Sequence, residues 1–187
     1  MSSDALAQVK GLAQLQAAMD QLPAKIEANI MRGALRAGAK LIQAEAKRLA
    51  PVAPPNEENR RLYGGYEGLL RDSIRISVSL RRGTVTARVR SGGKVRGNGD
   101  PYYARWVEYG TKPHRITATT PGGKLLLAGG HPVSSVMHPG TQPRPYLRPA
   151  MDTQAQAAVQ AVAAYIRQRL ATKHGLDVPD PGEEGQP

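Results

Sequence analysis

Apolar residues near both ends of the chain recur every three or four positions, the spacing of one face of an α-helix. Residues 5–22 contain such a stripe, which Pro23 ends, and residues 24–49 and 150–172 contain two longer stripes. The longer stripes consist of Ile26, Ile30, Ala34, Ala37, Leu41 and Ala44, and of Ala155, Val159, Val162, Ile166 and Leu170. This pattern predicts three amphipathic helices, two of them long.

Small residues cluster in the middle of the second predicted helix, around Gly33 and Gly38. Each glycine costs a helix about 1 kcal/mol relative to alanine, so two of them in mid-helix indicate a compensating contact. We therefore expect another element to approach this helix closely at that point.

From residue 73 the apolar period changes to two, which is typical of a β-strand with one buried face. The apolar positions are Ile74, Ile76, Val78 and Leu80, and then Val85, Ala87 and Val89 after a turn at Arg82-Gly83. Arg75, Arg88 and Arg90 fall on the opposite, polar side. The pattern predicts a β-hairpin with one apolar face and one arginine-rich face.

Residues 112–149 are predicted to form a hairpin arm. Strands are expected at 115–119 and 124–128, joined by a Pro-Gly-Gly turn, with a further strand at 133–137. A proline-rich bend then leads to the last helix, because residues before proline avoid the helical conformation.

Two other segments lack periodic apolar positions. Residues 51–67 are rich in proline and paired glycine and predict a long exposed loop. Residues 175–187 contain four acids and no base and predict a disordered acidic tail. Residues 1–174 are thus predicted to form a single α+β domain, in which a small, mostly antiparallel sheet packs against the long N-terminal helix and the C-terminal helix.

Residues 100–111 are the most aromatic stretch of the chain. They contain its single tryptophan and three of its seven tyrosines, and the chain has no phenylalanine. Tyr102, Trp106 and Tyr109 lie at helical spacing on one stripe of a short helix. We expect this stripe to be buried as a seed of the core, because burial of several aromatic rings contributes several kcal/mol.

Local signals delimit this short helix and assign a structural role to its carboxylate. Asp100 suits the N-cap position and Gly110 suits the helix end. Glu108 is interpreted as an acceptor for the turn N–H groups of Gly110 and Thr111, because a lone carboxylate is weak support for catalysis. The predicted core and turn motif is Tyr103, Trp106, Glu108, Gly110 and Thr111.

The composition argues against several kinds of chemistry. The chain of 187 residues has no cysteine, which excludes disulfides, thiolate metal sites and a cysteine nucleophile. No stretch reaches the roughly 20 apolar residues of a membrane span, so no membrane contact is expected. His131, His138 and Glu108 lack the spacing of a metal site, and no nucleophile motif is present. We expect no catalytic residues, no cofactor and no metal.

Positive charge leaves a choice of partners open. The formal net charge is +11, and residues 1–174 carry +15 because the tail holds four acids and no base. Such a balance favours contact with a polyanion. The arginine-rich hairpin face is either a solvated surface, a subunit interface or a wall facing a passing polyanion. A DNA-binding accessory protein that uses this face is the alternative function.

Five short motifs follow one another along the chain. They are Ala46-Lys47-x-x-Ala50-Pro51, Gly68-x-Leu70-Arg71-x-Ser73-Ile74, Tyr103-Ala104-x-x-Val107-Glu108-x-Gly110-Thr111, His138-Pro139-Gly140-Thr141 and Pro145-Tyr146-Leu147-Arg148-Pro149-Ala150. In this order they resemble the gp-ten-like head-tail joining or tail-completion proteins of long-tailed phages, over most of residues 11–172. The chain departs from the family pattern in the stretched loop 52–67, in the acidic tail, and at Tyr146, where the family usually shows phenylalanine.

The resemblance implies a structural virion protein that is not an enzyme and that assembles in the cytoplasm of the bacterial host. It implies a ring of identical copies, expected to be sixfold, between a head-closure or connector protein and a tail-terminator or tail-tube protein. Genomic DNA would make a passing contact. The loop and the arm are predicted to contact neighbours. The candidate interface residues are Arg75, Arg88, Arg90, Pro139, Arg144, Tyr146 and Arg148.

Overall fold

The computed structural model describes residues 12–52, 67–95, 99–119, 123–126, 132–176 and 178. Its helices are α1 (Leu12–Asp20), α2 (Ala24–Leu49), α3 (Leu69–Asp72), α4 (Ala104–Tyr109) and α5 (Leu147–His174). Its strands are β1 (Arg75–Arg81), β2 (Thr84–Arg90), β3 (His114–Thr117), β4 (Leu125–Leu126), β5 (Pro132–Val133) and β6 (Ser135–His138). This architecture confirms the predicted α+β class with long helices towards both ends of the chain.

The helices α2 and α5 form the frame of the molecule as an antiparallel pair. Near the start of α2, Ile30 lies in one apolar cluster with Leu170 of α5, and near its end Ala46 lies in another cluster with Ala150. None of the helices in the described part of the chain is long and apolar enough to cross a membrane.

The two long helices approach each other where α2 has its small residues. A Cβ atom at Gly33 would overlap the ring of Tyr165, and one at Gly38 would lie 2.7 Å from the carbonyl oxygen of Ala158. The expected close approach in mid-helix is therefore confirmed, and the contact offsets the cost of the glycines.

The buried face of α2 departs from the predicted stripe in its second half. Ile30 is buried as predicted, but Leu41 is 38% exposed and Ala44 is also exposed. Gly38 and Ala46 are buried instead. The buried positions lie at multiples of four residues, which is the ridge that packs against a crossing helix. The prediction that Leu41 and Ala44 face the core is wrong, because the crossing with α5 selects the small residues.

Two apolar clusters stabilise the two ends of the helix pair. The buried members of the first are Leu15, Ala18, Met19, Ile30, Ala34, Ala163, Ile166 and Leu170. The buried members of the second are Ala46, Ala50, Leu70, Ile74, Ala104, Tyr146 and Ala150. Each fully buried leucine or isoleucine contributes about 1.5–3 kcal/mol. The second cluster joins α2, α3, α4 and α5, so it positions the short aromatic helix.

The strands β1 and β2 form the antiparallel hairpin that the alternation predicts. The apolar cross-strand pairs are Ile76 with Val89, Val78 with Ala87, and Leu80 with Val85. Arg82 and Gly83 have φ values of 50° and 79° and form the tight turn between the strands. The side chain of Gln43 in α2 donates a hydrogen bond of 2.8 Å to the carbonyl oxygen of Ile74, which ties the hairpin to the long helix.

Strand pairing in the arm differs from the prediction. β3 pairs with β6 and β4 pairs with β5, both antiparallel. Both pairs therefore enclose residues 127–131, and the predicted hairpin between 115–119 and 124–128 is wrong. The prediction placed the turn at Gly122-Gly123, whereas the paired strands lie on either side of Gly129-Gly130 in the sequence. The segment predicted as one strand at 133–137 is extended, but it is divided at Ser134 into β5 and β6, which pair with different strands.

The remaining boundary predictions have different outcomes. α5 begins at Leu147, three residues earlier than predicted, and ends at His174. Gly175 caps this end as predicted, with a φ of 64° that is typical of a helix C-terminus. Most of the predicted loop, residues 53–66, lies outside the described residues, as does most of the predicted acidic tail. At the start of that tail, Leu176 and Val178 pack against the first apolar cluster.

Candidate interaction site

The short helix α4 begins later than the sequence predicts. Residues 101–103 form a turn in which the N–H of Ala104 donates to the carbonyl oxygen of Pro101 at 2.9 Å, and α4 itself starts at Ala104. Asp100 is not its N-cap. The Asp100 carboxylate instead accepts a 2.9 Å hydrogen bond from the N–H of Gly93. Gly110 ends α4 as predicted, with a φ of 70°.

Glu108 lies on the inner side of α4 and is only 4% exposed. Its Oε2 accepts hydrogen bonds from the N–H groups of Tyr146 at 2.8 Å and Leu147 at 2.9 Å, and its Oε1 accepts one from Arg148 at 3.0 Å. These N–H groups stand at the start of α5, where a helix has unpaired donors and a positive dipole end. Glu108 therefore caps α5 from another element.

The structural role predicted for Glu108 is thus correct in kind but wrong in its partners. Glu108 was expected to accept hydrogen bonds from the turn at Gly110 and Thr111. It accepts them instead from the start of α5, 38 residues further along the chain. One sequence signal pointed to this arrangement. α5 has no acidic residue in its first turn, and Tyr146 at its N-cap makes no side-chain capping bond, so its N–H groups require an outside acceptor.

Tyr146 completes this anchor and is fully buried. Its hydroxyl donates a 2.7 Å hydrogen bond to Ser91 Oγ, which lies 3.3 Å from Ser73 Oγ. Burial raises the pKa of the Tyr146 phenol, while the Ser91 bond acts in the opposite direction. Tyr146 is therefore a core residue, and its placement among the candidate interface residues is wrong. Ser91 was missed because an isolated serine carries no pattern, and Ser73 was noted only as a member of the Gly68–Ile74 motif.

The aromatic stripe of α4 faces away from the core. Tyr102 is 72% exposed, Trp106 is 50% exposed and Tyr109 is 62% exposed. The prediction that this stripe seeds the core is wrong, because α4 turns Ala104 and Glu108 inward instead. If α4 turned its rings inward, the N–H groups at the start of α5 would be buried without an acceptor, and each such donor costs about 1–3 kcal/mol. Leaving the rings partly in water costs less. We call Tyr102, Trp106 and Tyr109 the aromatic ridge.

Edge-to-face and cation–π contacts hold the aromatic ridge in place. The rings of Tyr102 and Trp106 meet at 87° with centroids 5.6 Å apart, and Tyr103 packs against Tyr102 in a similar way. The Arg148 guanidinium lies 5.3 Å from the centre of the Tyr109 ring. The ridge is consequently exposed but ordered. Arg148, a predicted interface residue, lies at its edge and is itself exposed.

The motifs that carry the family resemblance meet around α4. Thr111 and Thr141 exchange two backbone hydrogen bonds of 3.0 and 3.1 Å, and the N–H of Arg144 donates to the carbonyl oxygen of Val107 at 2.8 Å. The end of the arm is thereby fastened to the end of α4. Pro139 and Arg144, both predicted interface residues, are exposed on this fastened segment.

Arg75, Arg88 and Arg90 are exposed on the outer side of the β1–β2 hairpin, and we call them the arginine face. Arg75 stands directly opposite Arg90 across the two strands. Like charges opposite each other destabilise a sheet. None of the ion pairs in the described part of the chain involves these arginines. The Arg90 guanidinium donates a 2.9 Å hydrogen bond to Ser77 Oγ.

An apolar groove of about 420 Å³ lies between α2, β2 and α5. Its lining residues are Leu35, Gly38, Ala39, Ile42, Ala87, Val89, Leu147, Met151, Ala155, Ala158, Val159 and Val162. Met151 is 52% exposed. The sequence gives no direct signal for this groove, because it arises where the hairpin and two helices fail to close over one another. We call it the α2–α5 groove.

The histidines do not assemble into a metal site in the part of the chain that the structure describes. His114 and His138 stack with ring centroids 5.1 Å apart, and the Nδ1 atom of His138 accepts a hydrogen bond from the N–H of Gly140. Among the described residues, no group of three or more potential ligands lies together. Glu108 is engaged by α5, and His131 lies outside the described residues.

Comparison with known proteins identifies a family that matches the first part of the chain. A family described as "Bacteriophage HK97-gp10, putative tail-component" matches residues 13–110. The matched region runs from α1 to the glycine that ends α4, so it includes the β1–β2 hairpin, the aromatic ridge and Glu108. No curated protein and no solved structure matches the chain.

Proposed function

The chain belongs to the HK97-gp10-like family of phage tail components, and from this premise we propose that it forms a ring at the head-tail junction of a long-tailed phage. A tail component is a structural part of the virion. The ring, expected to be sixfold, would join a head-closure or connector protein to a tail-terminator or tail-tube protein. The observation that carries the proposal is the ordered, exposed aromatic ridge.

Composition and rigidity of the ridge support an assembly role. Tryptophan, tyrosine and arginine dominate the binding energy of protein interfaces. Here Trp106 and Tyr109 of α4 share one exposed surface with Tyr102, which precedes α4, and with Arg148 of α5. The Glu108 anchor fixes α4 against α5, so few degrees of freedom are lost when a partner covers the ridge. Interfaces that repeat around a closed ring can each be modest in area.

The Glu108 environment also supports a structural rather than a catalytic role. A general acid or base must reach a reacting group. The two Glu108 oxygens are instead occupied by three N–H groups of the helix end, and the side chain is buried. The anchor accounts for the burial of this carboxylate by a structural role.

Electron microscopy of phage particles tests the proposal directly. In particles made without this protein we expect filled heads beside separate tails, because the head-tail junction cannot close. Supplying the wild-type chain during assembly should restore joined particles. Fully joined, infectious particles made in the absence of the protein would contradict a role at the junction.

A second candidate function is DNA binding through the arginine face. The specific observation in its favour is that Arg75 lies directly opposite Arg90. An anion bound between the two guanidinium groups would relieve their charge repulsion. If duplex DNA is the ligand, the binding affinity should fall steeply as the salt concentration rises. The slope of log affinity against log salt should become shallower when Arg75 and Arg90 are both changed to serine. Fluorescence anisotropy with labelled duplex DNA measures this. A salt-independent or undetectable signal excludes the candidate.

A further inference from the structure

We propose that the aromatic ridge of one copy docks into the α2–α5 groove of a second copy of this chain. The inference rests on the proposed ring and names the two surfaces that join neighbouring copies. Two independent features support it. One is an exposed row of aromatic rings, and the other is an apolar groove elsewhere on the same chain that none of the described residues fills.

The ridge has the properties of the inserting partner. Tyr102, Trp106 and Tyr109 are each at least half exposed, although an aromatic side chain removes about 150–250 Å² from water when it is covered. Their contacts with one another and with Arg148 keep the rings in defined orientations. A ridge that is both apolar and ordered gains more from being covered than a flexible one.

The groove has the properties of the receiving partner. An apolar cavity of about 150 Å³ is large enough to bind benzene, so a volume of about 420 Å³ has room for an indole ring and part of a neighbouring tyrosine. Its lining contains no charged side chain. Met151 is half exposed, and an unbranched methionine adapts its shape to an incoming ring.

The placement of the two features favours a second copy as the occupant. None of the ridge residues lines the groove of its own chain. Leu147 lines the groove while the next residue, Arg148, contacts Tyr109 of the ridge, and consecutive helical residues point about 100° apart. The two features therefore face different directions. A chain with one ridge and one groove on different sides makes head-to-tail contacts, which close into a ring when the rotation allows.

The single tryptophan makes the contact directly observable. Trp106 is the only tryptophan in the chain, so all tryptophan fluorescence reports on the ridge. On raising the concentration of the full-length protein, we expect a blue shift of the emission and protection from acrylamide quenching. Both changes should follow the appearance of oligomers in sedimentation velocity. A wild-type chain that stays monomeric, with Trp106 fully quenchable, would overturn the inference.

Single variants on each side separate this contact from other interfaces. Trp106→Ala on the ridge and Met151→Glu in the groove should each weaken association at least about 30-fold, the effect of losing an interface hot spot. Matched controls are Leu41→Ala, which removes another exposed apolar side chain, and Gln156→Glu, which adds a charge to α5 outside the groove. Ala155→Glu serves as a second groove variant. Equal association in ridge, groove and control variants would overturn the inference.

Mixing the two defective variants tests the pairing itself. The Trp106→Ala chain keeps an intact groove and the Met151→Glu chain keeps an intact ridge, so one contact can form between them. We expect a 1:1 heterodimer and no larger species. The only tryptophan in the mixture is Trp106 of the Met151→Glu chain, and its emission should shift to the blue when it enters the groove of the Trp106→Ala chain. Rings formed by the mixture, or no association at all, would contradict the pairing.

Particle assembly distinguishes this inference from the proposed function. If both variants still join heads to tails, the ridge–groove contact is wrong while the junction role stands. If the purified chain is monomeric but both variants fail in particles, another tail protein covers these surfaces and the inference is again wrong. If phage assembles normally without the protein, the proposed function itself fails.

Discussion

The two sides of α4 show opposite relationships between chemistry and burial. The inner side carries a carboxylate, Glu108, which is almost completely buried, and the outer side carries large aromatic rings, which are at least half exposed. Hydrophobicity alone predicts the reverse. The unpaired N–H groups at the start of α5 therefore determine the orientation of α4, and the exposed rings are left available for another surface.

The inner side contributes to the stability of the fold, and the outer side carries the contact that we propose for assembly. Variants of the inner side should lower the free energy of unfolding, whereas variants of the ridge should leave it nearly unchanged.

Removal of the Glu108 carboxylate should have the largest effect. Glu108→Ala leaves three N–H groups of α5 without their acceptor, and hydrogen bonds to a charged group contribute about 1.5–3 kcal/mol each. Because the three bonds share one carboxylate, we expect a total loss of about 3–4 kcal/mol. Urea unfolding followed by circular dichroism measures the change. Glu108→Gln, which keeps one acceptor oxygen, should lose about half as much.

The matched control for Glu108 is Asp152→Asn, which neutralises an exposed acid on α5. A surface change of this kind should stay within about 0.5 kcal/mol of the wild type. If Glu108→Ala were no more destabilising than this control, the capping role of Glu108 would be incorrect.

Loss of the Tyr146 hydroxyl should have an intermediate effect. Tyr146→Phe removes the hydrogen bond to Ser91 while keeping the ring in the core, so we expect a loss of about 1 kcal/mol. This is also the residue that the resembling family usually shows, which indicates that the fold tolerates it. Tyr109→Phe, at an exposed ring, is the control and should be neutral. An equal effect of both changes would argue against the Ser91 bond.

The same hydroxyl should make stability sensitive to alkaline pH. Burial raises the pKa of Tyr146 in the folded protein, so its contribution is fully present below the pKa of a free tyrosine, about 10, and is lost as pH rises through the folded value. Unfolding free energies measured from about pH 9 to 11 should therefore fall more steeply for the wild type than for Tyr146→Phe. Parallel curves for the two proteins would contradict this.

Truncation of the ridge should have the smallest effect on stability. Trp106→Ala removes the largest aromatic ring of the chain, yet we expect the unfolding free energy of the monomer to change by no more than about 0.5 kcal/mol because half of the side chain is in water. Thermal unfolding at low protein concentration measures this. A loss as large as that of Glu108→Ala would place Trp106 in the core after all.

Periodicity predicted the elements that depend on local pattern. The 26-residue helix α2 has the predicted bounds, and the β1–β2 hairpin has the predicted faces and turn. Resemblance of five short motifs predicted the family, which the match to residues 13–110 confirms. The ring and its partners stay predictions.

Features that depend on distant partners were not predictable from local pattern. The orientation of α4 depends on N–H groups 38 residues away. The arm pairing depends on which of two glycine pairs lies between the strands, and the buried side of α2 depends on where α5 crosses it. In each case two local solutions were available, and a tertiary contact selected the one that the pattern did not favour.

The order in which α2, α4 and α5 follow one another along the chain has a consequence for synthesis on the ribosome. When residue 110 has emerged, α2 still lacks the helix that covers its small residues, and Glu108 still lacks the donors that it accepts from. Translation adds about 5–20 residues per second, so the nascent protein spends several seconds with this surface uncovered. A truncation before α5 would leave the small-residue side of α2 and the Glu108 carboxylate permanently without their partners.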